Sequence, residues 1–87
     1  MSWTVRISKQ ALEDLDHLRA HQPGIYREAY EITRSIDEDP TAGIGAPANL
    51  PVLGPNVWCR NLSLEHRVVY ELFDHTVVIA AYTTHID

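Results

Sequence analysis

The chain has 87 residues, 45% of them hydrophobic and 22% charged, the proportions of one small folded domain spanning residues 1–87 rather than of a disordered segment. Seven lysines and arginines stand against twelve aspartates and glutamates, giving a net charge of −5. That sign disfavours a protein built to lie on phosphate backbones, because such proteins are usually basic. One cysteine, Cys59, excludes an internal disulfide and a cysteine-built metal cage. No stretch approaches the roughly 18–20 apolar residues of a membrane span, and Met1-Ser2-Trp3-Thr4-Val5-Arg6 lacks the apolar run of a signal peptide. A cytoplasmic protein without a membrane partner is expected.

Trp3-Thr4-Val5-Arg6-Ile7 alternates apolar and polar residues and predicts a short half-buried strand. Ser8 follows as a helix N-cap, its hydroxyl able to accept from an orphan backbone N–H. Beyond it Ala11, Leu15, Leu18 and Gln22 share one helical face, with Leu12 beside them, predicting an amphipathic helix of about 14 residues. Pro23-Gly24 turns the chain. Ile25, Ala29, Ile32 and Ile36 then form an apolar stripe at helical spacing, stopped by Asp37-Glu38-Asp39 and Pro40. Two helices joined this tightly form an antiparallel hairpin.

Residues 40–56 hold four of the five prolines and three of the four glycines, which predicts a loop with fixed corners and a short edge strand near Leu50–Leu53. Gly43-x-Gly45 invites a phosphate-loop reading, but no lysine follows, no strand directly precedes and no helix opens after it. Three strands complete the chain: residues 57–62, 67–73 after a connection around Ser63–His66, and 76–82 after a tight turn at Asp74-His75. The near-continuous apolar run of the last predicts a central strand covered on both faces. The order β-α-α-β-β-β predicts an α+β domain, a twisted and mostly antiparallel sheet with a C-terminal three-stranded meander and the hairpin on one face.

Arg60 and Arg67 are the only two basic residues after position 34, and both fall on predicted strands. One reading sends each to the solvent face of the sheet, or pairs it with Glu65 or Glu71. The other has both converge on a concave sheet face to hold an anion, since a guanidinium fork matches phosphate oxygens. His66 and His85 are candidates for proton transfer near neutral pH, although a lone histidine this close to the end of the sequence is also readily incidental. His17 and His21 stand four apart, a chelating spacing with no third ligand beside it, so no metal is expected. Cys59 reads as buried filler.

The segments Val57-Trp58-Cys59-Arg60-Asn61-Leu62, Glu65-His66-Arg67-Val68-Val69-Tyr70 and Val78-Ile79-Ala80-Ala81, ending in His85, resemble the YoeB/Txe toxins of the RelE/ParE toxin–antitoxin superfamily. Gly43-Ile44-Gly45-Ala46-Pro47 is similar to the family's Gly-x-Gly-x-Pro segment. The resemblance implies a RelE-like fold and a small cytoplasmic toxin that is neutralised by a cognate antitoxin. It also implies a toxin that enters the ribosome to cut mRNA without metal or other cofactor and that forms a homodimer. By position, Arg67 matches the arginine that stabilises the transition state and His85 the histidine near the C-terminus, with Arg60, Asn61 and His66 as substrate-binding candidates.

The sequence departs from the family pattern at four site positions. Ala48 stands where the family has its glutamate base, Pro51 where it has a lysine, Asn61 where it has a second strand arginine and Ile86 where it has a tyrosine. These departures, together with the acidic balance, carry an alternative: a weakened or inactive protein of the same fold that acts as an antitoxin-binding module or on a target other than RNA.

Overall fold

The computed structural model describes residues 3–63 and 65–83. Strand β1 (Thr4–Ile7) leads to helix α1 (Lys9–His21) and helix α2 (Pro23–Glu38). A loop carries the two-residue strand β2 (Ala48–Asn49), after which β3 (Val57–Asn61), β4 (Arg67–Phe73) and β5 (Thr76–Thr83) run as a meander. The five strands form one sheet in the order β1-β5-β4-β3-β2. β1 lies parallel to β5 at one edge while every other pair is antiparallel, so the sheet is mixed.

Ser8 caps α1 as expected: its hydroxyl oxygen accepts from the Ala11 amide at 3.1 Å. The same hydroxyl donates to the Ala80 carbonyl at 2.8 Å. Gln22 alone separates the helices and serves as the cap residue of both, so it lies outside the helical face on which the sequence placed it. Ala11 and Leu18 are buried and Leu15 is partly buried, whereas Leu12 is exposed. From α2, Ala29, Ile32 and Ile36 enter the same core, and the sheet supplies Val68, Tyr70, Val77, Ile79 and Tyr82.

Two expectations need correction. The short edge strand forms at Ala48–Asn49, ahead of Leu50–Leu53. Pro51 has no backbone N–H for a ladder, and the Leu53 amide instead closes a turn on the Leu50 carbonyl at 3.0 Å, leaving Val52 exposed. β5 is interior, flanked by β1 and β4, but it is not covered on both faces. Val77, Ile79 and Tyr82 are buried toward the helices, while Val78, Ala81 and Thr83 are half-buried on the opposite face.

The β4–β5 ladder shifts register at Val69/Tyr70, because Val69 pairs with Ala81 but Tyr70 with Ile79, which leaves Ala80 as an extra residue. Helix α1 fastens this bulge. Besides the Ser8 contact to Ala80, the Asp14 carboxylate accepts from the Tyr82 amide at 3.0 Å. The Tyr82 hydroxyl lies 2.7 Å from Thr33 Oγ1, whose own hydrogen goes to the Ala29 carbonyl, so the tyrosine is the donor. Among the described residues no helix is long and apolar enough to cross a membrane.

Candidate functional site

Strand alternation sorts the polar residues of the meander onto two faces. Cross-strand partners share a face, so Trp58 and Arg60 of β3 lie with Tyr70 and Val68 on the helix side. Cys59 and Asn61 lie with Val69 and Arg67 on the open side. The open side continues to Ala81 and Thr83 of β5, and to Ala48 of β2 opposite Cys59.

On that open side the structure brings together Asn61 and Arg67. They are register partners across β3 and β4, and an Arg67 guanidinium nitrogen donates to the Asn61 side-chain oxygen. Arg67 is half-buried and Asn61 exposed, so the guanidinium is held by Asn61 on a face still open to solvent. Below the pair, burial pushes the Cys59 thiol above its ordinary range, although the Arg67 charge pulls the other way. Thr83, the last residue described, is the register partner of Arg67 on its other flank. His85 lies outside the described residues, as do Ile86 and Asp87.

Arg60 goes elsewhere. Its side chain is fully buried, and each of its five N–H donors has an acceptor. Nε donates to the Tyr70 hydroxyl at 3.1 Å. One terminal nitrogen donates to Ser35 Oγ at 2.6 Å and to the Ile44 carbonyl at 3.2 Å. The other donates to the Asp39 carbonyl and, at 3.0 Å, to the Ala42 carbonyl. Because Ser35 and Asp39 end α2, the buried cation sits against the negative pole of that helix, which compensates a charge otherwise costly to bury. The Tyr70 hydroxyl completes the cluster by donating to the Pro40 carbonyl, and burial raises its pKa above the usual tyrosine value against the opposing pull of Arg60.

Two glycines permit this packing. Gly43 has φ +125° and lies so close that an added Cβ would come within 3.1 Å of the Arg60 guanidinium. Gly45 has φ +85°, and a Cβ there would stand 2.9 Å from the Asn61 carbonyl. The Gly45 carbonyl accepts from the Asn61 amide at 2.6 Å. Asp39 begins the loop; the Thr41 amide and hydroxyl both donate to its carboxylate and hold its pKa below the ordinary value.

His66 is buried, its Nδ1 paired with Ser63 Oγ at 3.2 Å in the β3–β4 connection. The His17 and His21 rings lie 4.6 Å apart on α1. Among the described residues no three His, Cys, Asp or Glu side chains are placed to share a metal ion. A cavity of about 450 Å³ opens on the helix side, walled by Val5, Ile7, Leu15, Tyr26, Tyr30 and Tyr82; none of the described candidate residues lines it. Ser35 and Tyr70 were missed as partners of Arg60. Parity placed Arg60 with Trp58, but Val57 and Cys59 make the other face of β3 apolar as well, so the strand alone did not decide its side.

The relatives share this architecture. A YoeB dimer from Staphylococcus aureus superposes with a TM-score of 0.85 at 28% identity, over 97% of this chain and 98% of the other. A heterotetrameric YoeB–YefM toxin–antitoxin complex from the same organism gives 0.81 at 29% identity, with the same coverage. A YoeB/ParE toxin from Agrobacterium tumefaciens gives 0.86 at 19% identity over 95% of this chain and 99% of the other, a likeness of fold alone. In sequence, the toxin YoeB of Synechocystis sp. is 33% identical over 54 residues, an alignment that spans 62% of this chain and 63% of that toxin's length. The family model described as the YoeB-like toxin of bacterial type II toxin–antitoxin systems matches residues 7–86, nearly the whole chain, and the protein therefore belongs to that family.

Proposed function

We propose that the chain is a ribosome-dependent endoribonuclease that cuts mRNA and is silenced by a cognate antitoxin. The observation that carries this reading is the Arg67 guanidinium, held by Asn61 on an open sheet face in a family of toxins. In the reaction the ribose 2′-hydroxyl loses its proton and attacks the adjacent phosphorus. The bond from phosphorus to the 5′-oxygen breaks, leaving a cyclic phosphate on one fragment and a 5′-hydroxyl on the other. Arg67 is assigned the charge that gathers on the non-bridging oxygens, where a prepositioned cation acts without reorganising. Ala48 carries no proton acceptor, so proton transfer is assigned to His85.

Asn61 is assigned to orient Arg67 and to line the substrate path, with His66 at its margin. The antitoxin partner is supported by the toxin–antitoxin complex of the S. aureus relative, and a homodimer by the dimeric relative. A cytoplasmic location follows from a ribosomal target. The test is a reconstituted translation reaction with purified protein, with message ends mapped by primer extension. Cuts within translated codons that vanish in Arg67→Ala are expected; intact message with the wild-type protein overturns the reading.

A further inference from the structure

We infer that Arg60 is a positioning residue, one that acts on the site through the proline–glycine loop and never touches RNA; the inference rests on the reading just given. The guanidinium is saturated: the Tyr70 hydroxyl, Ser35 Oγ and the carbonyls of Asp39, Ala42 and Ile44 take all five of its N–H groups. No donor is left for a phosphate, and the side chain is closed to solvent.

What this contact fixes is the path of residues 39–45. The loop has no ladder of its own until β2, so its carbonyls would otherwise have to turn to water. Arg60 gathers three of them on one guanidinium. The next residue completes the grip, since the Asn61 amide holds the Gly45 carbonyl at 2.6 Å. Asn61 is also the residue whose side chain holds Arg67. A continuous series of bonds therefore runs from Arg60 through the loop to Gly45, back to Asn61 and on to the reactive cation. The same loop delivers Ala48 to its place beside Cys59 on the open face. Releasing the guanidinium frees the loop, and with it the backbone support of Asn61, while the substrate-facing edge of Arg67 stays chemically intact.

The test compares wild type with Arg60→Lys, which keeps the charge but offers at most three donors in a different geometry. Amide hydrogen exchange is read by mass spectrometry and mRNA cleavage in the reconstituted translation reaction. Exchange across residues 39–48 is expected to accelerate about tenfold or more while the amides of Val68 and Ile79 keep their protection. Turnover is expected to fall about tenfold or more with KM within about twofold of wild type. Unchanged exchange in a folded variant overturns the inference. So does a raised KM with turnover retained, which would mean direct contact with substrate. If Arg60→Lys does not fold, Ser35→Ala removes a single acceptor and is expected to give a smaller acceleration confined to the same segment; its absence overturns the inference equally. If the wild-type protein cuts nothing, the proposed function fails, and the exchange measurements still decide what Arg60 holds.

Discussion

Arg67 and Asn61 face each other across β4 and β3, and the amide oxygen of Asn61 holds the guanidinium of Arg67. Asn61 is neutral, so it orients the Arg67 charge without neutralising it. Replacing Arg67 removes both the charge and its aim. Arg67→Ala is expected to lower mRNA cleavage by about 100–1000-fold, the usual cost of losing a prepositioned charge-stabilising group. Asn61→Ala keeps the cation and loosens it, so a smaller loss, about tenfold, is expected. Single-turnover cleavage rates of the two variants check this order, and equal losses would refute it.

Ala48 stands exposed on the same open face as Arg67, two strands away at about 4.8 Å per strand. By register it lies in the row of Cys59 and Val69, next to the row of Asn61 and Arg67, so a carboxylate introduced there shares the cation's face without burying charge. Ala48→Glu is expected to raise cleavage by about tenfold or more, within the range contributed by a positioned general base. The pH–rate profile is expected to gain a limb from a carboxylate. An unchanged rate with an unchanged profile would show that position 48 is outside the reacting volume.

Tyr70→Phe removes one oxygen and orphans two buried partners, the Arg60 Nε–H and the Pro40 carbonyl. The expected loss of stability is about 2–3 kcal/mol, larger than that of an ordinary hydrogen bond because one of the orphans is charged. Urea unfolding of the two proteins measures it.

Gly45→Ala forces a side chain onto a residue with φ +85° and sets its Cβ against the Asn61 carbonyl. A loss of about 1–3 kcal/mol is expected, with cleavage falling further than stability alone explains because Asn61 is displaced. Gly24→Ala is the control: an added Cβ there meets nothing within 4 Å. Thermal melts and cleavage rates of both variants separate the two effects.

The pH dependence of stability has two limbs with opposite signs. Burial raises the pKa of Tyr82 above 10.0, so its contribution is full below about pH 10 and is lost as pH rises toward the folded-state value. The Thr41 bonds lower that of Asp39 below 3.8, so its contribution is full above about pH 4 and is lost as pH falls through the folded-state value. Melting temperatures between pH 2 and 11 are expected to show a shallower alkaline limb in Tyr82→Phe and a shallower acid limb in Asp39→Asn.

The helices were legible because each repeats one period, and the long strands because each is a short apolar run bounded by turn residues. Ile25, Ala29, Ile32 and Ile36 can share a face only in a helix, and the runs 67–73 and 76–82 are rich in Val, Ile and Tyr. β2 was displaced because two residues carry no period, and only pairing with Cys59 and Trp58 defines them. The parallel placement of β1 was hidden for the same reason: strand direction is a property of the sheet and leaves no mark on four residues. At the site, Arg67 and Asn61 could be read on one face from their strands. The destination of Arg60 required knowing that α2 ends beneath it, a fact of packing between residues 21 and 25 positions apart in sequence.

Among the described residues β1 has β5 as its single neighbour in the sheet. Thr4, Val5, Arg6 and Ile7 align with Thr76, Val77, Val78 and Ile79, contacts that span more than seventy residues. β1 can thus be placed only after β5 has been made. Loops this long close slowly, and until this one closes the edge of β5 is open to pairing with another chain. Until the sheet closes, any chain that pairs with that edge competes with β1 itself.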